Sequence, residues 1–323
     1  MNVYTHGDFD GIVSAALVGR CFPVARTFFA SPRTIVALPV TEEDIVCDLP
    51  YPHRRVRYWF DHHEANIDAV RSLGVAEGIE GRFVAAPSAA QVVYDFLRAD
   101  HAFPPFLEET VAWADTIDSM AYAGVEEWLA PTPAHRIDRA IHLPNETLRD
   151  ARRFMLLLVR TIARHPLADL ADSEDVAVRF EVARRHEEES AATIRRVARS
   201  IGPSAEILLL DFSEERTAPS FSKNMAYLVH PEARAILQLS PGYRDGARAN
   251  ATRISMSLNP FGPRDPRLDV AAILGALELG SGHAGAAGGE IAGASKKQLV
   301  AHREAALAAI VDLWGKQRGA PAP

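Results

Sequence analysis

The sequence has few cysteines, no leader-like start and no long apolar run. Its two cysteines, Cys21 and Cys47, do not form a Cys-x-x-Cys pair, so neither a disulfide framework nor a thiolate zinc site is expected. The opening residues, MNVYTHGDFD, contain no basic segment followed by a long apolar one, as a secretory signal would. Apolar stretches such as 154–159 are far too short to span a bilayer. We therefore expect a cytoplasmic protein without a membrane partner.

Positive charge is also in deficit. Lysine and arginine together number 35 against 42 aspartates and glutamates, which gives a formal net charge of −7. Because long nucleic acids are bound through neutralisation of their phosphates, no broad basic groove for them is expected. A small anionic substrate, held in a local positive pocket or by metal, remains compatible with this balance. The oligomeric state, monomer or homodimer, stays open.

The 323 residues, 48% of them hydrophobic, are enough for two domains with separate cores. Short apolar runs alternate with helical patterns over the first 130 residues, which predicts a parallel sheet with helices on both faces. We expect an α/β protein with an N-terminal domain of residues 1–200, whose part from about 132 is a helical linker. A smaller C-terminal α/β domain of residues 204–318 would follow a boundary at Gly202-Pro203.

Predicted strands lie at 2–5, 26–30, 34–39, 44–47, 56–60 and 82–85 in the first domain, and at 206–210, 235–239 and 252–258 in the second. Helices are predicted at 11–20, 89–98, 145–164, 174–200, 268–277 and 296–315, with a glycine-rich loop at 280–289. In parallel α/β sheets, ligands bind beyond the carboxyl ends of the strands. Polar residues that follow the predicted strands are therefore candidates for a functional site.

Four polar clusters of the first domain each follow or end a predicted strand. They are THGDFDG with His6, Asp8 and Asp10, VCDLP with Asp48, the run Asp61-His62-His63, and WADTIDS with Asp115 and Asp118. Carboxylates gathered at one sheet edge would repel one another strongly unless a cation neutralised them. Carboxylates and imidazoles without thiolates suit divalent ions such as Mn²⁺ or Mg²⁺. The conjunction predicts a metal centre, in which two ions sharing Asp48 could activate a water and bind a phosphate.

Each cluster taken alone has a simpler explanation. Asp8, Asp10 and Asp48 also suit turns, the run 61–63 a polar surface, and Asp115 and Asp118 an exposed helix position or a cap. In the second domain, GSGHAGAAGGE at 280–290 has glycines that let backbone N–H groups approach a ligand. His283 in this stretch and Arg253 before it are candidate contacts to phosphate or sugar. The alternatives are a flexible loop with an incidental histidine and a surface arginine.

Together the motifs resemble those of the DHH phosphoesterases, which are named for the triplet found here as Asp61-His62-His63. THGDFDG resembles the first motif of the family, CDLP the second and WADTIDS the fourth, and GSGHAGAAGG resembles the signature of the DHH-associated C-terminal domain. The resemblance covers nearly the whole chain. The size and two-domain layout look like the NrnA and NrnB type of oligoribonuclease and their relatives. RecJ exonucleases share the core but usually carry extra nucleic-acid-binding domains, for which this chain has no length.

The resemblance implies a role for each motif residue and a cofactor of two divalent cations, Mn²⁺ or alternatively Mg²⁺ or Co²⁺. It places His6 and Asp8 on one ion, Asp10, His62 and Asp115 on the other, and Asp48 between them. His63 would face the substrate phosphate, and Asp61 would hold an imidazole in the required tautomer. Arg253, Gly280, Ser281, Gly282 and His283 would bind the far end of the nucleotide across a cleft between the domains.

The resemblance thus implies a Mn²⁺-dependent hydrolase, a phosphodiesterase and exoribonuclease of short oligonucleotides or linear dinucleotides that acts through a metal-bridged hydroxide. The same site could instead remove the 3′-phosphate of 3′-phosphoadenosine 5′-phosphate. The glycine-rich loop disfavours an inorganic pyrophosphatase. A non-catalytic nucleotide-binding regulatory protein is the alternative of another class, disfavoured because the ligand set is intact. The physiological substrate, cleavage direction, metal preference and choice of RNA or DNA stay open.

Overall fold

The structure, a computed structural model, describes residues 1–202, 205–217, 219, 221–244 and 246–319. The chain forms two compact units, Met1–Arg184 and a second that begins at Arg185. Pro203 of the expected boundary and residue 204, the expected start of the second domain, lie outside the described residues. The expected domain limits therefore stay a prediction. No described helix is both long enough and apolar enough to cross a membrane.

The first unit contains a five-stranded parallel sheet, as expected, with the order β2-β1-β3-β4-β5. Its strands are β1 (Asn2–Thr5), β2 (Arg26–Phe29), β3 (Ile45–Cys47), β4 (Tyr58–Asp61) and β5 (Gly81–Phe83). The prediction of a strand at 34–39 is wrong, because Ile35–Ala37 form a short 3₁₀ helix. Thr34 starts this turn, since its hydroxyl accepts from the backbone N–H of Ser31 at 2.9 Å. Such side-chain bonds compete with strand formation.

Helices cover both faces of this sheet. They are α1 (Phe9–Cys21), α2 (Glu64–Ser72), α3 (Ala89–Leu97), α4 (Pro105–Asp118), α5 (Val125–Leu129), α6 (Pro133–Ile141), α7 (Leu148–Ile162), α8 (Leu167–Ala171) and α9 (Glu174–Val197). Neighbouring strand residues point to opposite faces, so Val3 and Phe60 enter one core, which includes α1, α3 and α7. Tyr4 and Trp59 enter the other, with Val70 of α2. Two buried faces hold the strands rigidly and leave their ends to carry polar residues.

The second unit contains a six-stranded sheet with the order β10-β11-β9-β8-β7-β6. Its strands are β6 (Ala198–Ile201), β7 (Ile207–Asp211), β8 (Ala235–Arg244), β9 (Ala247–Leu258), β10 (Gly280–His283) and β11 (Ala286–Ala292), and its helices are α10 (Ala226–Val229), α11 (Val270–Ala276) and α12 (Lys296–Gly319). Strands β7 and β8 are parallel, and the other described pairs are antiparallel. Ile273 of α11 and Ile310 of α12 pack on Leu237 in the core. The second α/β fold is therefore confirmed as a mixed sheet.

Two expectations for local structure in this part of the chain are wrong. The stretch 280–289 is a hairpin of β10 and β11 rather than a loop. A Cβ at Gly280 or Gly282 would collide with the backbone of β11, so these glycines are required by the close approach of the two strands. The helix expected to reach residue 200 ends at Val197, and β6 begins at once. β6 pairs with β7, a long-range contact that a local helical pattern does not reveal.

The turn between β1 and α1 depends on Gly11. A Cβ there would collide with the carbonyl oxygen of His6 and lie 2.9 Å from Thr5 Oγ1. The hydroxyl of Thr5 donates to the Gly11 carbonyl at 2.8 Å, and Asp8 caps α1 by accepting from the Gly11 N–H at 3.0 Å. The polar residues of the first motif are therefore held within a single tight turn after the strand.

We expect Gly11→Ala to lower the free energy of unfolding by about 1–3 kcal/mol, because the added methyl group overpacks this turn. Gly19→Ala on the same helix is the matched control, since a Cβ there meets no heavy atom within 4 Å. The control should leave stability unchanged or raise it by up to about 1 kcal/mol. Urea denaturation of the two variants checks this, and equal effects would contradict the account of the turn.

Candidate active site

The first three polar clusters meet at one edge of the first sheet. Because β1, β3 and β4 are neighbouring parallel strands, the residues that end them leave the sheet side by side. Three groups of side chains could each hold a metal ion, because within each group the ligand atoms lie within 4.8 Å of one another. These groups are His6, Asp8 and Asp48; Asp48, His62 and His63; and Asp10, His62 and Asp118.

Asp48 occupies the centre of the cluster and is almost fully buried. Its Oδ2 lies 3.9 Å from His6 Nδ1, and its Oδ1 lies 3.6 Å from His62 Nε2 and 3.8 Å from His63 Nδ1. Its Oδ2 has no hydrogen-bond partner among the described residues. The residue has a φ of 53°, a left-handed conformation that aspartate tolerates better than most residues. The turn after β3 thus places one carboxylate between His6 on one side and His62 and His63 on the other.

The buried carboxylate of Asp10 is held by the N-terminus of α3. It accepts from the backbone N–H groups of Ala89 and Ala90, both at 2.7 Å. Ser88 caps the same helix by accepting from the Gln91 N–H at 3.0 Å. The positive end of the helix dipole favours an anion at this position. Asp10 therefore has a fixed orientation that does not depend on any bound ion.

His62 provides the test of whether a cation fits this cluster. Its Nδ1 is 3.1 Å from the Ala86 carbonyl oxygen, which can only accept, so Nδ1 carries the proton and Nε2 a lone pair. That lone pair faces Asp118 Oδ2 at 3.4 Å, Asp48 Oδ1 at 3.6 Å and Asp10 Oδ2 at 3.8 Å. It has no hydrogen-bond partner in the described part of the chain. A lone pair surrounded by carboxylates requires a cation or an extra proton, so these residues fit a divalent metal.

Asp61 holds the backbone and ring of the following histidine. This fully buried carboxylate accepts from the backbone N–H groups of His62 at 2.8 Å and His63 at 3.2 Å, from His63 Nδ1 at 2.8 Å and from Asn66 Nδ2 at 2.6 Å. Half of the His63 side chain is exposed, and its Nε2 hydrogen-bonds to no described residue. His63 is therefore an oriented donor at the surface of the cluster, as its expected contact with a phosphate requires.

Burial raises the pKa of Asp10 and of Asp48 well above the ordinary carboxyl range, and the negative charges of Asp8 and Asp118 raise both further. Burial also raises the pKa of Asp118, against the opposing effect of His62. Burial acts to raise the pKa of Asp8 as well and is the largest single effect, but the hydrogen bond with His6 at 2.5 Å, the charge of His6 and the Gly11 N–H together outweigh it, and the pKa is lowered. The metal-free cluster thus has more negative charge than it can bury, which a cation would relieve.

The fourth motif lies on helix α4, and its two aspartates point to different places. Asp118, the last residue of α4, joins Asp10 and His62 in a potential metal group. Asp115 instead accepts from the hydroxyl of Ser88 at 2.5 Å and belongs to none of the three groups. The expected ligand role of Asp115 stays a prediction, and the geometry favours Asp118. The motif contains both residues, so the signal for Asp118 was present, but the position where α4 ends decides between them.

The three candidate side chains of the second unit, Arg253, Ser281 and His283, share one face of its sheet but spread along it, while Gly280 and Gly282 occupy the alternate positions of β10. His283 pairs with Ala286, which pairs with Ser257, and Ser281 pairs through Gly288 with Ser255. Arg253 lies on the same face opposite Glu290, four residues from Ser257 and hence about 13 Å along the strand. The structure thus brings Ser281 and His283 together on an edge strand and places Arg253 farther away. Their substrate-binding roles stay predictions.

No protein-family model matches the chain, and no curated protein matches it. Among solved structures, a pGpG-specific phosphodiesterase, PggH from Vibrio cholerae, is 22% identical with a TM-score of 0.71, over 96% of this chain and 98% of that one. A DHH domain described as belonging to a family of ribosomal proteins is 14% identical with a TM-score of 0.54, over 94% and 86%. CDC45 from Entamoeba histolytica is 8% identical with a TM-score of 0.53, over 96% and 95%.

These likenesses show that the chain has the DHH phosphoesterase fold. The expected α/β fold class is therefore confirmed. The resemblance to the DHH phosphoesterases that the motifs indicated is confirmed as a likeness of fold. The NrnA and NrnB subtype stays a prediction.

We expect Asp118→Asn to weaken Mn²⁺ binding at least about tenfold, because it removes a charged ligand from the group around His62. Asp115→Asn, the matched control three residues away, should change the affinity less than about threefold. Isothermal titration of metal-free protein with Mn²⁺ measures both. The reverse order of effects would return Asp115 to the role that the sequence assigned to it.

We expect the metal-free protein to lose stability as the pH rises from about 5 to 8. The folded-state pKa values of Asp10 and Asp48 are raised, so above about pH 4 the folded chain binds more protons than the unfolded one. Stability is then lost as the pH rises through the folded values. Asp48→Asn removes one of these carboxyls and keeps a residue that tolerates positive φ.

Urea denaturation in a chelator at several pH values should therefore give a smaller loss for Asp48→Asn than for the wild type. Saturating Mn²⁺ should reduce the difference between the two pH extremes in the wild type. Parallel pH profiles for the two chains without metal would show that Asp48 does not titrate in the folded state as described.

Proposed function

We propose that this chain is a metal-dependent phosphoesterase that hydrolyses short oligonucleotides or linear dinucleotides. The observation that carries the proposal is the Nε2 lone pair of His62. It faces three carboxylates, and no hydrogen-bond donor of a described residue lies between the lone pair and the carboxylate oxygens. His6, Asp8 and Asp48 would hold one cation, and Asp10, His62 and Asp118 a second, with Asp48 beside both. Oxygen and imidazole ligands without thiolate are the set that Mn²⁺ takes.

When bound, two such cations lower the pKa of water and offset the charge of a phosphodiester. The residues of the chain position and stabilise the substrate. Asp61 accepts the Nδ1–H of His63, and this bond raises the pKa of His63 against the effect of burial. A protonated His63 donates from Nε2 to a phosphate oxygen. The Ala86 carbonyl keeps His62 in the tautomer that leaves Nε2 free for a ligand.

The proposed substrate class comes from the motifs, the charge and a structural neighbour. PggH is described as specific for pGpG, a linear dinucleotide with a phosphodiester of the kind proposed here. A net charge of −7 disfavours long nucleic acids, whose binding rests on many phosphate contacts. Ser281 and His283 of the second unit would bind the far end of the nucleotide, with Arg253 as a further cationic contact.

A panel of substrates in Mn²⁺ buffer tests this function. The panel contains a 5′-labelled dinucleotide, a five-nucleotide RNA, a long single strand and 3′-phosphoadenosine 5′-phosphate. We expect fastest hydrolysis of the shortest oligonucleotides and a loss of about a hundredfold or more in His62→Ala, because a metal ligand is removed. His142→Ala is the matched control, since His142 is exposed at the end of α6.

The other outcomes separate the competing functions. Hydrolysis of the bisphosphate alone would make the chain a phosphomonoesterase. Metal binding without hydrolysis of any member would favour a nucleotide-binding regulatory protein. Equal turnover by His62→Ala and the wild type would contradict the proposed centre.

A further inference from the structure

An open groove of about 1210 Å³ lies between α7 and the start of α9, within the first unit. We call it the α7–α9 groove. Its α7 wall contains four arginines and Asp150, and its α9 wall contains two carboxylates, a valine and Arg179. The charged and apolar lining includes Leu148, Arg149, Arg152, Arg153, Leu157, Arg160, Glu174, Asp175 and Val178. The groove contains none of the candidate metal ligands and needs an explanation of its own.

Six charged side chains of the α7–α9 groove are unpaired within the described chain. Arg149, Arg152, Arg153 and Arg160 are exposed and make no ion pair or side-chain hydrogen bond with a described residue. Glu174 and Asp175 on the facing wall also have no described ion-pair partner. In contrast, Arg136 on α6 pairs with Asp172 at 2.8 Å. A run of unpaired arginines facing unpaired carboxylates suggests that their partners belong to another molecule.

Apolar side chains in and beside the groove are exposed as well. Leu148 is 77% exposed and Val178 is 59% exposed, and Leu157 and Val182 are also at the surface. A single exposed apolar residue is ordinary, but a group of them rimmed by charges marks an interaction site. Arginine is among the residues that protein interfaces favour.

The floor of the groove is rigid before any partner binds. The guanidinium of Arg179 lies 4.0 Å from the ring centre of Phe154. Arg179 also binds both carboxylate oxygens of Glu146, at 2.5 and 2.9 Å, and donates to the backbone carbonyls of Ala140 and Ile141. These contacts fix the floor, so a partner would have to order only the exposed side chains of the walls.

We propose that the α7–α9 groove is the interface through which two copies of this chain pair. The unpaired charges of the groove are self-complementary, because four arginines lie on α7 and the carboxylates of Glu174 and Asp175 lie on α9. A two-fold axis through it would set α7 of each copy against α9 of the other, so that these arginines meet these carboxylates. A nucleic acid fits less well, since Glu174 and Asp175 would repel its phosphates and the apolar residues would stay uncovered.

Charge reversal on each wall tests the interface. We expect Arg152→Glu with Arg153→Glu, and separately Glu174→Arg with Asp175→Arg, to raise the dimer dissociation constant at least tenfold. Sedimentation velocity of the full chain over a hundredfold range of concentration measures this. Glu108→Arg with Glu109→Arg on α4 is the matched control and should leave the wild-type dimer intact. Circular dichroism confirms that each variant is folded.

Rescue separates an interface from a general loss of stability. An equal mixture of the two double variants should form a heterodimer, and the fourfold variant should again form a homodimer, because both restore opposite charges. A wild-type chain that stays monomeric throughout, a dimer that neither reversal weakens, or a mixture that fails to pair would overturn the proposal. Binding of a long RNA strand by the monomeric wild type, lost in Arg152→Glu with Arg153→Glu, would assign the groove to nucleic acid instead.

Discussion

Asp10 and Asp48 are buried beside His62 Nε2, which accepts no hydrogen bond from a described residue, and this burial is the constraint that the first unit has to satisfy. Burial removes each carboxylate from water, which stabilises its charge best, and each lies close to other acidic groups. Asp10 recovers part of this loss from two backbone N–H groups, but Asp48 Oδ2 has no donor among the described residues. Packing energy elsewhere has to support this unfavourable cluster until a cation binds.

The fold of the first unit holds the cluster around Asp48 and His62 in place. Three neighbouring parallel strands end at the same edge, and both faces of their sheet are buried. Three polar residues are held by hydrogen bonds to groups that belong to none of the potential metal groups: Asp10 by the start of α3, His62 by the Ala86 carbonyl and His63 by Asp61. Such outer contacts set the tautomer and direction of metal-binding side chains. The side chains that could hold a cation are therefore already oriented by the fold.

Much of the first unit could be predicted from the sequence, because its strands are short apolar runs that end in polar residues. The run Tyr58-Trp59-Phe60 followed by Asp61-His62-His63 shows both features at once. The strand expected at 34–39 was wrong because a Ser31–Thr34 turn, a local polar contact, overrides the apolar pattern. The hairpin of β10 and β11 could not be recognised, since its glycines and alanines have no hydrophobic alternation and it joins the sheet through the pairing of β11 with β9. The choice between Asp115 and Asp118 depends on where one helix ends, which propensities do not resolve to a residue.

We propose that two divalent cations bind around Asp48 at the edge of the first sheet. Anomalous diffraction at the manganese absorption edge, from crystals of this chain grown with Mn²⁺, is the decisive experiment. We expect two peaks within about 2.5 Å of the ligand atoms, one among His6, Asp8 and Asp48 and the other among Asp10, Asp48, His62 and Asp118. A sheet edge without manganese, with a proton shared between His62 Nε2 and one of the carboxylates, would contradict the proposed metal centre.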